Sequence, residues 1–343
     1  MRYVFLLNMG GAHNLDECDL FLKNMFSDKY ILGIKYAWLR NLIGYIIRKY
    51  RLPTMLFNYK SIGGSSPLSQ IQRAICDKLN QRQKDFHFDF ISRYVPPFAT
   101  DVFAKYNFKD EDEILLFPLY PQRSHTTITS SVEDAKYALN KLKIKATVKE
   151  ILHFYDDKDF NHKIVETISM ANEPKHSDLI ISLHSLPEKT AAKDPYMKDV
   201  HEHFEILKEA LKDEFHDIHL GFQSRMGPVK WVGPNLEELC AKIWAKNKDA
   251  NGQELSPKIR ELPEANAFCH PLPEGSASYE ADNAASILVY PLSFCIDCSE
   301  TLFELNKEIR DEFKGRYNLV LCPNDSEWFL DFLLKKVRNV YKD

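Results

Sequence analysis

Ile180-Ile181-Ser182-Leu183-His184-Ser185-Leu186-Pro187 decides how this chain is read. Apolar β-formers lead into a Ser-x-His-x-x-Pro turn, the pattern of a buried strand that ends in a loop. Open α/β sheets present their chemistry at the carboxyl ends of parallel strands. An imidazole placed there can accept a proton near neutral pH or bind a metal. The arrangement recurs with carboxylates further along. Ile287-Leu288-Val289-Tyr290-Pro291 reads as another strand, and Cys295-Ile296-Asp297-Cys298-Ser299-Glu300 leads into a helix. One strand delivers a histidine, another an acidic helix start, and together they suggest a metal handled in a cleft.

Apolar and polar periodicity extends this pattern over most of the chain. Strands are expected near 3–8, 86–91, 113–118, 148–153, 178–183, 217–222, 286–291 and 317–321. Helices are expected near 14–25, 31–50, 68–83, 99–106, 131–143, 160–171, 197–214, 235–246, 299–313 and 326–341. Such βα alternation implies parallel sheets covered by helices on both faces. The pattern repeats before and after about residue 130, so two similar open-sheet domains, 1–130 and 131–322, are expected to face a shared cleft. Residues 247–284 break the rhythm, being rich in Pro, Ala, Glu, Gly and Ser. They are read as a surface insertion without a catalytic role.

Composition narrows the function classes. The chain has 343 residues, a net charge of −4 and 44% hydrophobic residues, which fits a globular protein rather than a nucleic-acid binder. No run reaches the roughly 20 apolar residues of a membrane span. No signal peptide is read at the start, and the seven irregularly spaced cysteines suit reduced cytoplasmic thiols. Residues 31–51 form a basic segment with a broad apolar face, suited either to a core or to a membrane surface.

His184, at a strand end before a proline-stiffened turn, stands apart from His201 and His203 on an amphipathic helix. Glu300, Glu304 and Glu308 recur every fourth residue and share one helical stripe. Lys307 and Arg310 could offset their repulsion on a solvated face, whereas a cation moving along the stripe would compensate all three. His184 and Glu300 offer one nitrogen and one carboxylate, a set that suits ferrous iron, zinc or cobalt without choosing among them. The loop Ile62-Gly63-Gly64-Ser65-Ser66 lacks the ending of a phosphate-binding loop. It reads as a turn before the helix after Pro67. Cys295 and Cys298 lack the second pair a zinc ribbon needs and read as small residues in a turn.

The chain resembles ferrochelatases of bacterial type. Leu6-Leu7-Asn8-Met9-Gly10-Gly11, Ile62-Gly63-Gly64-Ser65-Ser66-Pro67-Leu68, Arg93-Tyr94 and Pro118-Leu119-Tyr120-Pro121-Gln122 with Thr126-Thr127 resemble motifs of that family's first half. Ser182-x-His184-x-x-Pro187 with Asp194-Pro195-Tyr196, Phe222-Gln223-Ser224-Arg225-Met226-Gly227-Pro228 with Trp231, Asp297-x-x-Glu300-Thr301-Leu302 with Glu304, and Asn324-Asp325-Ser326 resemble the second. They occur in the family's order.

The resemblance implies an α/β fold of chelatase type, with two open parallel-sheet (Rossmann-like) domains and a closing segment, 323–343, that returns to the first. It implies insertion of ferrous iron into a porphyrin, most simply protoporphyrin IX, with release of two protons. His184 and Glu300 would act as catalytic groups and metal ligands. Glu304 and Glu308 would relay protons or metal. Met9, Tyr94, Tyr120 and Trp231 would wall the porphyrin. Arg93 would pair with a propionate or sit in an interior ion pair.

No permanently bound cofactor is expected. Iron is a substrate, and Cys240, Cys269 and Cys322 do not form the set an iron–sulfur cluster needs. Ser185 departs from the family, where glycine is usual, and Cys298 stands where many relatives have a second histidine. The segment 31–51 would form an apolar lip and contact the inner face of a membrane peripherally. Rival readings are a cobalt chelatase for another tetrapyrrole and a non-enzymatic haem or metal carrier on the same fold. The oligomeric state stays open, with a monomer the working expectation.

Overall fold

A computed structural model describes residues 1–171, 177–225, 227–246, 258–259, 269–270, 279–280, 286–313 and 315–342. Most of the proposed insertion 247–284 therefore lies outside the described residues.

The strands β1 (Arg2–Asn8), β2 (His87–Ser92), β3 (Glu113–Pro118) and β4 (Thr147–Glu150) form one sheet in the order β2-β1-β3-β4, all parallel. The second half contributes β5 (Asp178–His184) and β6 (Ile218–Gln223). A small antiparallel ribbon follows, from β7 (Lys258–Ile259) and β8 (Tyr279–Glu280). Next come β9 (Ser286–Pro291) and β10 (Arg316–Leu319), completing a parallel sheet in the order β10-β9-β5-β6.

Parallel strands covered on both faces are apolar almost throughout, which is why β1, β3, β5 and β9 read as near-continuous apolar runs, interrupted in β5 by Ser182. Alternate residues serve different cores. Val4 and Leu6 of β1 share one large cluster with Leu179, Ile181 and Leu183 of β5, filled between the sheets by Phe154, Phe160, Phe329 and Phe332. Phe5 and Leu7 point the other way, against Val102, Phe103 and Ala135. In β5, Ile180 joins Leu236, Leu305 and Ile309 on the far face.

A buried polar seam also ties the halves together. The Arg123 guanidinium grips Asp199 with Nη2 2.6 Å and Nε 2.8 Å from its two oxygens, and Asp199 is fully buried. Gln122 Nε2 lies 2.9 Å from His203 Nδ1, and His203 Nε2 lies 2.7 Å from Asn161 Oδ1. An amide nitrogen only donates, so His203 is neutral with its proton on Nε2. Burial holds this imidazole at about 3, well below the usual histidine range.

Four expectations change. The first sheet takes its last strand from Thr147–Glu150, so the break between the sheets falls beyond the expected boundary at 130. The helix expected at 31–50 is a short turn, Lys29–Leu32, followed by a long helix, Ala37–Ser61, that runs through Pro53. Its packing on the helix Glu17–Ser27 carries it past the proline. The helix expected at 299–313 is π-helical over Glu300–Ile309, with an α-helical end at Arg310–Glu312. Finally, the closing helix Glu327–Val340 serves both halves. Arg82 pairs with Glu327 and Asp331, while Lys335 and Lys336 pair with Asp159 and Asp157.

Candidate active site

His184 ends β5, and every nearby polar group acts to fix it. Its N–H donates to Ser293 Oγ at 3.1 Å, and its carbonyl accepts from the Tyr196 hydroxyl at 3.1 Å. Ring Nδ1 lies 2.8 Å from the carbonyl oxygen of Ser185. A carbonyl only accepts, so Nδ1 carries a proton, and in the neutral ring the lone pair is on Nε2. Ser185, where glycine was the family expectation, donates its own hydroxyl to the carbonyl of Val232 at 2.8 Å. Residues 186–188 pair with 230–232 through Val232 N–H to Leu186 and Glu188 N–H to Lys230. An isolated bridge between Pro187 and Trp231 sets the Trp231 backbone beside the histidine turn.

The acidic row begins one strand over, after β9. Hydrogen bonds from i to i+5 widen the π-helix, a form frequent at functional sites. Glu300 and Glu304 are half-buried, and Glu308 is exposed. The stripe thus runs from the interior to solvent. Glu304 keeps part of its side chain at the surface, yet its carboxylate sits in a polar niche. Ser224 Oγ donates to it, and Gln223 Nε2 does so at 3.2 Å. Ser182 in turn donates to Gln223 Oε1 at 2.7 Å. Desolvation, reinforced by the neighbouring Glu300 charge, raises Glu304 to about 7. It can therefore hold and release a proton near neutrality. Burial, then Glu312 and Glu237, also push Glu308 up, with Arg51 opposing them. Cys298, buried and close to the Glu300 charge, is held well above the usual thiol range. It stands there as a neutral thiol rather than a thiolate ligand.

The first sheet supplies the opposite side through the loops after β1, β2 and β3. Met9 is half-buried beside Tyr94 and Val95. Tyr120 is half-buried with its hydroxyl enclosed, and burial, then the Glu300 charge, hold that hydroxyl above the usual tyrosine range. Tyr94 donates to Asp28 at 3.0 Å and is almost wholly buried. Arg93 pairs with Asp28 at 3.3 Å and Asp134 at 3.4 Å, the interior ion pair that the sequence reading held open for it. Gly10 and Gly11 let this wall close up. Gly10 sits at φ +81°, and a Cβ on Gly11 would fall 2.4 Å from Ser66 Oγ.

Several residues of the site were not singled out from the sequence. Tyr59, near the end of the long helix, is 2% exposed, accepts the Ala12 N–H at 3.2 Å and lies by Ser299 and Glu300. It links the two halves directly at the start of the acidic row. Ser66 and Arg51 approach from the same helix and the loop that follows it. Ser66 belongs to the Gly-Gly loop and Arg51 ends the basic segment 31–51, both marked in the sequence without a place in the site. Among the described residues no three or more His, Cys, Asp or Glu side chains are grouped to hold a metal ion. All seven cysteines are free and buried.

Comparison with known proteins decides the family. The family model described as Ferrochelatase matches residues 3–250 and 274–341. The chain belongs to the ferrochelatase family. It is 45% identical to a ferrochelatase of Campylobacter jejuni subsp. doylei over 98% of both chains. It is 36% identical to one from Nitratiruptor sp., covering 97% of this chain and 98% of that one. A solved structure of SirB from Bacillus subtilis with Fe3+ shares the fold at a TM-score of 0.50 and 11% identity, covering 79% of this chain and 88% of that one.

The motif resemblance and the two-sheet α/β fold are therefore borne out, as is an enzyme that inserts a metal into a porphyrin. The ferrochelatase model passes over residues 251–273, within the stretch that broke the sequence rhythm.

Proposed function

We propose that this member of the ferrochelatase family inserts ferrous iron into protoporphyrin IX, with His184 and Glu300 as its central groups. The observation that carries the reading is the Nδ1 bond from His184 to Ser185 at 2.8 Å. In the neutral ring it leaves Nε2 as the nitrogen that accepts a proton or binds the metal. Each turnover must remove two pyrrole N–H protons as the metal bonds to all four ring nitrogens. Nε2 of His184 takes one proton, and the carboxylate of Glu300 receives metal or the second proton. Glu304, poised at about 7, passes protons on to Glu308 and to solvent. A set of one nitrogen and one carboxylate holds iron loosely enough to let it go, unlike a closed four-ligand site.

Met9, Tyr120 and Trp231 wall the ring, while Tyr94 and Tyr59, 1% and 2% exposed, are buried behind the wall rather than in it. Strain in a ring held bent would expose its nitrogen lone pairs. Arg93 is committed to Asp28 and Asp134. That favours a ring with few carboxylates over a more highly carboxylated one.

The long helix adds a surface to this reading. Trp38, Leu42, Tyr45, Ile46, Tyr50 and Phe57 are all exposed on it, Tyr50 by 80%. Arg40, Arg48 and Lys49 flank them. Aromatic anchors with basic neighbours suit peripheral contact with an anionic membrane, from which a greasy ring is collected. No described helix is long and apolar enough to cross one. The chain would then work in the cytoplasm at the inner face.

The test is purified protein under anaerobic conditions with ferrous iron and each porphyrin in turn, followed by the absorbance change. Turnover of protoporphyrin supports the reading. Turnover of only a more carboxylated ring, or only with cobalt, would replace it with the cobalt-chelatase alternative. Tight haem binding without any turnover would favour a carrier.

A further inference from the structure

His270 lies in the segment that the ferrochelatase model passes over, and it reaches the candidate metal site from behind. Cys269 makes an antiparallel bridge to Val320, and the His270 N–H donates to Leu319 at 2.8 Å. This seats the two residues on β10, the edge strand of the second sheet. The His270 side chain is buried, with Nε2 3.0 Å from Asp297 Oδ1. Asp297 is buried as well and accepts Asn324 Nδ2 on its other oxygen at 2.6 Å. Asn324 Oδ1 takes the Asp297 N–H at 2.8 Å in return.

Asp297 is thus held at both oxygens and at its backbone, three residues before Glu300. The Cys298 N–H then donates to Thr301 Oγ1 at 3.0 Å, which closes the turn into the π-helix. A buried carboxylate left without a donor would relax toward another partner and carry the turn with it.

We infer that His270 is a positioning residue for metal insertion: its hydrogen bond to Asp297 fixes the turn that presents Glu300. The inference rests on the proposed role of Glu300. It gives one residue within 247–284 a part in presenting Glu300, where the sequence reading assigned that stretch no catalytic role. A displacement of about 1 Å at a reacting group can cost about a hundredfold in rate, so one distant hydrogen bond is enough to matter.

The experiment uses the full chain and zinc, which avoids air oxidation, with protoporphyrin already bound. The single-turnover insertion rate of bound porphyrin does not depend on the fraction of protein that is folded, and porphyrin affinity is read separately by fluorescence. His270→Leu is expected to slow insertion at least about tenfold with affinity within about twofold. His270→Gln can still place a donor near Oδ1 and should recover most of the rate. If His270→Leu does not fold, His270→Asn, polar but too short, takes its place with the same expectation.

A normal rate in His270→Leu, or equal losses in His270→Leu and His270→Gln, would overturn the inference. Glu300→Gln is measured alongside. A normal rate there would overturn the role of Glu300 and the inference with it. A slow Glu300→Gln beside a normal His270→Leu would overturn the inference alone.

Discussion

His184 donates its Nδ1 proton to the carbonyl of the next residue, Ser185, across 2.8 Å. The bond is local, so it is set by the turn and does not wait for substrate. In the neutral ring it directs the lone pair to Nε2. His184→Ala should leave a folded protein whose metal insertion is at least about a hundredfold slower, the scale of losing an acid–base group. Circular dichroism and single-turnover rates measure the two halves of that statement. Near-normal turnover would remove His184 from the centre of the mechanism.

Glu304 offers a pH signature. Its folded value of about 7 lies above the ordinary carboxylate range, so the folded state binds the extra proton between roughly pH 4.3 and 7. Its contribution to stability is therefore present below that window and is lost as the pH rises through it. Glu304→Gln should melt higher than the parent above pH 7 and lose that advantage toward pH 4. If Glu304 relays protons, the same change should also flatten the rate profile near neutrality. A profile unchanged by the substitution would leave Glu304 as a structural acid only.

Metal choice follows from the donor set. An imidazole and a carboxylate impose no geometry that excludes zinc or cobalt, and Cys298 stays a neutral thiol. Zinc and cobalt should both be inserted into protoporphyrin in vitro, as judged by the absorbance spectra of the products. Strict exclusivity for iron would point to a selecting ligand, with Met9 the first to test.

The aromatic face of the long helix predicts binding to vesicles containing anionic lipid. Replacing Trp38, Tyr50 and Phe57 together by serine should weaken co-sedimentation at least about tenfold. Turnover of detergent-solubilised porphyrin should barely change. Equal sedimentation of parent and variant would show that this face meets something other than lipid.

His203 sets a limit in acid. Its folded value of about 3 lies below the unfolded histidine value, so the unfolded chain binds more protons between about pH 6.5 and 3. Stability from this site is intact above that window and is lost as the pH falls through it. His203→Leu should be less stable at pH 7, because Gln122 and Asn161 lose their partner. Its melting temperature should fall less steeply than the parent's below pH 6. Parallel curves would mean that other groups govern the acid transition.

The fold was legible because strands buried on both faces are apolar almost throughout, so β1, β3, β5 and β9 announce themselves. His184 was legible for the same reason, as the imidazole that ends such a run before a proline-stiffened turn. The acidic stripe could be seen, but not its helix type, since a spacing of four residues suits an α-helix and a wider turn alike. Tyr59 was hidden because its position depends on the helix continuing past Pro53, which packing on Glu17–Ser27 decides. His270 was hidden more deeply. The surrounding sequence is polar and proline-rich, and only the three-dimensional edge of β10 gives that histidine a carboxylate to meet.

The seam through Arg123–Asp199 and Gln122–His203–Asn161 has a mechanical meaning. Packed interiors deform little, and here charge-assisted and neutral hydrogen bonds brace the packing behind the cleft. The loops after β3 and the helix Tyr196–Leu211 cannot easily slide apart to suit a guest. When a flat, conjugated ring enters a recess of slightly different shape, the softer body yields, and the softer body is the ring. On the proposed reading, stiffness at a distance of several side chains would become curvature in the substrate.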